Sequence, residues 1–356
     1  MGNENVHQIL DVIQHSTKNN VLATILHVEG TAYLKEGTMM LIQEDGFQVG
    51  MLSAGCLEND LAIRSKEVFI NGRPITITYD MSEETDISWG QGAGCNGVIY
   101  ILLEFLDQEL KENMLNLKEV LDQGIPILHI KTLTEDFKLE NNYYYSFEGD
   151  TLITSDVDLT LEIRSYLHHN QAESNPSQKS GVHKSDHFPI PFYTHIFSPK
   201  PRLIIFGAGP DVKPLVSLAA LTGFSITLCD WRTEFCNKEQ FPLANEFIIG
   251  FPKEMTNKLN LNSQDYVVIM THHFQRDQEI LSTLIHQHLR YLGILGPRIR
   301  TEKLLNHKSI PPSLRSPIGL FIGAKGPQEI AISIVAELIQ CLRSPFPQNK
   351  FELGNS

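Results

Sequence analysis

Several things are missing from these 356 residues. No run of eighteen consecutive apolar residues occurs, so no helical membrane span is expected. There is no CxxC pair, and the five cysteines (Cys56, Cys95, Cys229, Cys236 and Cys341) are widely spaced and odd in number. That pattern argues against a disulfide framework and for a reducing, cytoplasmic setting. Positive charge is scarce: 29 Lys and Arg stand against 42 Asp and Glu, a net charge of −13. A nucleic acid or an anionic membrane surface needs clustered cations, so neither is expected as a partner. The opening "MGNENVHQILDVIQH" has no basic stretch and no small-residue cleavage site, so no secretory leader is expected. What is present, 42% hydrophobic and 20% charged residues, is ordinary for a globular chain, and the length allows two domains.

The first 165 residues read as a mixed α+β domain. Val6, Ile9, Leu10, Val12 and Ile13 have helical spacing. "VLATILHV" is a strand, and "TMMLI" and "QVGML" flank a turn as a hairpin. "LENDLAIRSKEVFING" is a helix closed by Asn71-Gly72, and "PITITYD" and "GVIYILLEF" are strands rich in β-formers. Residues 166–200, with "HHNQAESNPSQKSGVHKSDH", are polar and read as an exposed linker. Its histidines (His168, His169, His183, His187) have no fixed metal-ligand spacing. From residue 201 to about 345 short apolar strands alternate with helices, which predicts a Rossmann-like parallel sheet.

That second part begins with "LIIFGAGPDVKPL". Gly207 permits a tight turn after the strand, and Gly209 permits close approach of a phosphate to the backbone. The third position of the fingerprint is Val212, and Pro214 predicts a helix that starts late or bends. Asp230, at the end of the next strand, suits a ribose hydroxyl of NAD(P). His272, His273 and Asp277 follow a later strand, where ligands of such sheets bind, as contacts or as acid and base. Arg298, Arg300 and Lys325 sit beside glycine turns and suit phosphate. Each also has a plain structural reading, as a cap, a solvated edge or a helix-entry turn.

Two loops place cysteine among small residues. "GMLSAGCLENDL" sets Cys56 behind Gly55 and ahead of a helix, and "GQGAGCNGVIY" sets Cys95 ahead of a strand. Both sulfurs are uncrowded and suit a metal or a persulfide, with a small buried hydrophobe as the alternative. Cys229 and Cys341, on apolar faces, read as such hydrophobes.

"GTMMLIQEDGFQVGMLSAGCLENDL", "WGQGAGCNGVIYILLE" and "LIIFGAGPDVKPLVSLAALTGFSITLCDWR" resemble blocks of the xanthine dehydrogenase accessory factor family (XdhC/CoxI). "VVIMTHHFQRDQEIL", "RYLGILGPRIRTEKLL" and "SPIGLFIGAKGPQEIAISIVAEL" follow in the family's order. The resemblance implies a maturation factor that binds molybdenum cofactor while its terminal sulfur is installed. The factor then passes the cofactor to an apo molybdenum hydroxylase of the xanthine dehydrogenase type. It further implies Cys56 as a ligand of the metal end, Cys95 less directly, a cysteine desulfurase as a second partner, and a homodimer. A nicotinamide-dependent oxidoreductase and a nucleotide-sensing regulator are the alternatives. The first predicts hydride transfer with Cys56 dispensable, the second ligand binding through Gly207, Gly209 and Asp230 alone.

Overall fold

The computed structural model describes residues 3–81, 96–146, 151–152, 180–185 and 188–344. The chain divides into two units, Met1–Lys200 and Pro201–Ser356.

The first unit opens with α1 (Asn3–His15), β1 (Asn20–Thr31), β2 (Met39–Gln43), β3 (Gln48–Gly50), α2 (Glu58–Asn71), β4 (Ile75–Asp80) and β5 (Asn96–Phe105). Its first sheet is antiparallel in the order β3-β2-β1-β5-β4. α3 (Gln108–Asp122) follows, capped by the Asp107 carboxylate, which accepts from the Leu110 amide at 2.8 Å and is worth about 1 kcal/mol. Val6, Ile9, Leu10 and Ile13 of α1 bury against Leu110, Met114, Leu117 and Leu121 of α3, with Leu22 and Leu41 of the sheet. On the other face Leu57, Leu61 and Val68, at and within α2, pack on Val21, Ala23, Ile25, Ile101 and Leu103.

A second antiparallel sheet is built from β6 (Ile127–Leu133), β7 (Leu139–Ser146), β8 (Thr151–Leu152), β9 (Gly181–Ser185) and β10 (Phe188–Phe197), in the order β8-β7-β6-β10-β9. This corrects the expectation of an exposed linker over 166–200, because residues 181–185 and 188–197 are strands and β10 lies between β6 and β9. Residues 166–179 and His187 lie outside the described residues. The two sheets are joined by a buried polar group. Lys131 of β6 reaches Glu104 of β5 at 2.8 and 2.7 Å and the Asn142 side chain at 2.7 Å. The His129 ring meets Asn142 at 3.1 Å and stacks on Tyr144.

The second unit runs β11 (Arg202–Phe206), a 3-10 turn (Pro210–Val212), α4 (Lys213–Leu221), β12 (Ser225–Asp230), β13 (Glu246–Ile249), α5 (Pro252–Lys258), β14 (Tyr266–Ile269), α6 (Phe274–Leu284), β15 (Tyr291–Ile294), α7 (Arg298–Leu304), β16 (Leu314–Arg315) and α8 (Gly326–Arg343). The sheet is parallel throughout, in the order β13-β12-β11-β14-β15-β16. α4 and α8 cover one face, and α5, α6 and α7 the other. This is the doubly wound arrangement, whose order reverses between β11 and β14 and whose ligands bind there, outside the carboxyl ends of the strands. The late helix is as expected: Pro210 opens the 3-10 turn, and Pro214 falls in the first turn of α4, where no donor is lost. Val212 is fully buried among Leu215, Val216, Ile334 and Leu338, so a side chain stands where the fingerprint has its third glycine.

Candidate functional site

In the first unit the cysteine loop joins β3 to α2. Glu58, the first residue of α2, turns back over it. Its carboxylate accepts from the amides of Leu52 at 3.1 Å and Ser53 at 2.8 Å, and from the Ser53 hydroxyl. The Ser53 oxygen in turn accepts from the amides of Gly55 at 3.2 Å and Leu57 at 3.0 Å. Burial pushes the Glu58 carboxyl up, but the bonds from Ser53 outweigh it and hold the group below the usual carboxylate range. Gly55 turns the chain at φ +103°. Leu57 is fully buried and anchors the loop. The Gly-Cys-Leu-Glu run therefore divides the work: turn, display, anchor and tie. The displayed residue is Cys56, whose thiol is free and exposed. Cys95 and its glycine loop lie outside the described residues.

In the second unit the glycine turn is occupied by the protein itself. Gly207 has φ +123°, and a Cβ there would lie 2.5 Å from the Met270 carbonyl oxygen, so the two loops meet backbone to backbone. The Gly207 amide donates to the Cys229 carbonyl at 2.8 Å, and the Ala208 amide to Asp230 at 2.7 Å. At Gly209 the close neighbour is the Asp211 carboxylate, 2.5 Å from the position of a Cβ. Where the sequence leads to the expectation of room for a phosphate, Gly209 has a side-chain anion of this chain beside it. Asp211 accepts from His272 Nε2 at 2.7 Å, across the point where the strand order reverses. His272 is exposed and has φ +60°, a strained value for histidine.

Asp230 stands at the end of β12 as the sequence predicts, but it has no exposed surface. Its oxygens accept from Ala208, from the Arg232 amide at 2.9 Å, and from the Arg232 guanidinium at 2.9 and 2.8 Å. Burial raises its pKa, and Arg232 more than offsets this, so the carboxyl sits below its ordinary value. In this arrangement it offers no oxygen to a ribose. Asp277, also buried, is held by Thr271 and by Arg300 at 2.6 Å. It is a tie between α6 and α7 and not an exposed acid.

Arg298 is exposed at the start of α7, after the carboxyl end of β15. Lys325 is exposed too, and its amide donates to Glu329 at 2.6 Å, so a carboxylate already caps α8. Gly207, Gly209, Asp230 and His272 are thus gathered around one turn, while Arg298 and Lys325 open separate helices. Cys229 is fully buried, and burial pushes its thiol up. Among the described residues no three His, Cys, Asp or Glu side chains converge as a metal cage. Sequence reasoning missed two residues at the same edge: Trp231, next to Asp230, and Arg276, whose guanidinium carbon lies 3.7 Å from the indole centroid. Their only signal was position, one just after a strand and one in the turn of helix that follows another.

Residues 14–80 match the XdhC and CoxI family, 108–198 the central domain of BH1974-like proteins, and 203–338 the XdhC Rossmann domain. The chain is 38% identical to a Bacillus subtilis protein named as a probable subunit of xanthine dehydrogenase, over 94% of this chain and 97% of that one. It is 23% identical to the Escherichia coli molybdenum cofactor insertion chaperone PaoD, over 91% of this chain and 83% of that one. A crystal structure described as a xanthine dehydrogenase from Bacillus halodurans superposes with a TM-score of 0.82 at 42% identity, covering 98% of both chains. By these likenesses the chain belongs to the XdhC and CoxI family.

Proposed function

We propose that this chain is an accessory factor that binds molybdenum cofactor, holds it while its terminal sulfur is installed, and delivers it to an apo molybdenum hydroxylase of the xanthine dehydrogenase type. Two relatives support the reading, one named as a subunit of xanthine dehydrogenase and one as a chaperone inserting molybdenum cofactor. The observation that carries it is the display of Cys56 on a loop whose other residues are spent on holding that loop still. A soft thiolate suits molybdenum and sulfur. A metal that arrives already chelated by its pterin needs one further protein ligand and not a cage. Delivery and sulfuration place a cysteine desulfurase and the target apo-enzyme among the partners, in the cytoplasm, and the factor works as a homodimer.

The test is binding of isolated molybdenum cofactor to wild type and Cys56→Ala. Tight binding lost in the variant is the expected result. Binding unchanged by the substitution moves the metal end away from Cys56. Absence of binding, with clear NAD binding in its place, overturns the reading in favour of an oxidoreductase or a nucleotide sensor. Size-exclusion chromatography with light scattering checks the dimer against the 40.2 kDa chain mass.

A further inference from the structure

Three acids at the carboxyl edge of the parallel sheet are matched by bases of this chain. Asp230 is matched by Arg232, Asp277 by Arg300 and Asp211 by His272. Arg276, in the first turn of α6, makes no ion pair among the described residues, and its Nη1 is buried without a hydrogen-bond partner. The side chain is held by aromatic faces instead, 3.7 Å above Trp231 and 5.0 Å from Phe251. Stacking uses the face of a guanidinium and leaves its N–H fork for planar, bidentate contact with an anion. Arg232 lies over the same indole, at 4.6 Å, so two like charges share one ring. Arg232 is already paired with Asp230, and an anion placed beside Arg276 satisfies the stranded donor.

Position adds to this. Trp231 follows β12 and Arg276 follows β14, and β11 with its glycine turn lies between them. The stack therefore spans the crevice in which a doubly wound sheet holds its ligand. The turn itself is a poor seat for phosphate. Its Ala208 amide is spent on Asp230, and the Asp211 carboxylate lies against Gly209.

We infer that Arg276, seated on Trp231, is the anion grip of the second unit and takes a phosphate group of the cargo. This rests on the reading of the chain as a cofactor carrier. The phosphate is displaced from the glycine turn toward α6. Two sources share the chemistry, the terminal phosphate of the pterin and the pyrophosphate of its nucleotide form.

The experiment uses the full-length protein with two kinds of probe. Calorimetry with inorganic phosphate and inorganic pyrophosphate compares wild type, Arg276→Gln, Arg276→Lys and Trp231→Leu. Equilibrium binding of isolated molybdenum cofactor, in its phosphate and its nucleotide forms, compares the same proteins. Matching unfolding midpoints check that each variant is folded. Arg276→Gln is expected to weaken pyrophosphate at least about tenfold, the loss of one charged, bidentate contact. Arg276→Lys keeps the charge but not the fork and falls between. Trp231→Leu follows Arg276→Gln, because the guanidinium loses its platform. The cofactor form that loses affinity in parallel identifies the source. Pyrophosphate that binds Arg276→Gln as it binds wild type, or that fails to bind wild type, overturns the assignment. The two readings fail separately: cofactor bound through Cys56 but indifferent to Arg276→Gln sinks the grip alone. Pyrophosphate bound through Arg276 with no cofactor binding sinks the carrier reading alone.

Discussion

Replacing Glu104 by alanine leaves Lys131 as a buried, uncompensated charge. The side chains of the pair are 3% and 1% exposed, and among the described residues Asn142 is the only other group bonded to the ammonium. Removing one partner of such a pair costs about 3–5 kcal/mol. With a urea slope of roughly 2–3 kcal/mol per M, the unfolding midpoint of the first unit drops by about 1–2.5 M. Near-UV circular dichroism reads it, because Tyr144 and Tyr193 are buried in the same unit. The double variant Glu104→Leu/Lys131→Met recovers most of the loss, since apolar replacement of a buried pair is often neutral. Asn142 still keeps its contact with His129 there.

The pH dependence has a definite sign. Burial lowers the Lys131 pKa from 10.5, and the charge of Glu104 is the main opposing influence. Without Glu104 the lysine falls further. The unfolded chain then binds the extra proton over a wider range, so stability rises with pH up to the ordinary lysine value. The deficit of Glu104→Ala therefore shrinks as the pH is raised toward 10. A single variant that costs under about 1 kcal/mol would refute the claim that the pair is desolvated. A double variant as unstable as the single would show that lost packing, and not a stranded charge, is the cause.

Two further outcomes are expected. Burial lowers the pKa of His195 to about 4, so it is neutral in the fold, and stability is lost as the pH falls from about 6.5 to 4. The shift corresponds to about 3 kcal/mol, and His195→Gln should flatten that part of a stability–pH curve. Gly207→Ala combines positive φ with a Cβ 2.5 Å from a carbonyl oxygen and should cost about 3 kcal/mol or more, whereas Gly55→Ala, with nothing within 4 Å of the new Cβ, carries only the backbone strain of about 1–2 kcal/mol. Thermal unfolding of the two variants compares them directly.

Local chemistry was legible in the sequence, and long-range pairing was not. Gly207, Pro210 and Pro214 announced a turn and a delayed helix, because each acts on its own backbone. The small residues beside Cys56 announced an uncrowded sulfur for the same reason, with burial as the alternative. Strand β10 was hidden by Pro189 and Pro191, which argue against a central strand. The structure accommodates them before Phe192, where pairing with β6 begins, and within the register shift against β9. Asp230 was placed correctly at the end of its strand, but nothing in the spacing shows Arg232 folding back onto it. The contact of Arg276 with Trp231 joins residues far apart in the chain that only strand order brings together. Glu104 and Lys131 had a weak signal, a lone charge within each of two apolar strands.

The place of β10 also bears on how the chain is made. β6 ends at Leu133, but the strand that pairs with its free side ends at Phe197. At ribosomal rates of about 5–20 residues per second, β6 waits several seconds with an open edge after it has emerged. An open edge is a template for wrong pairing. The first unit thus closes only when synthesis nears Lys200, and a nascent chain or a fragment that stops at residue 165 has one side of β6 unzipped. Such a product should associate with itself or with chaperones, while one that stops at 200 should not.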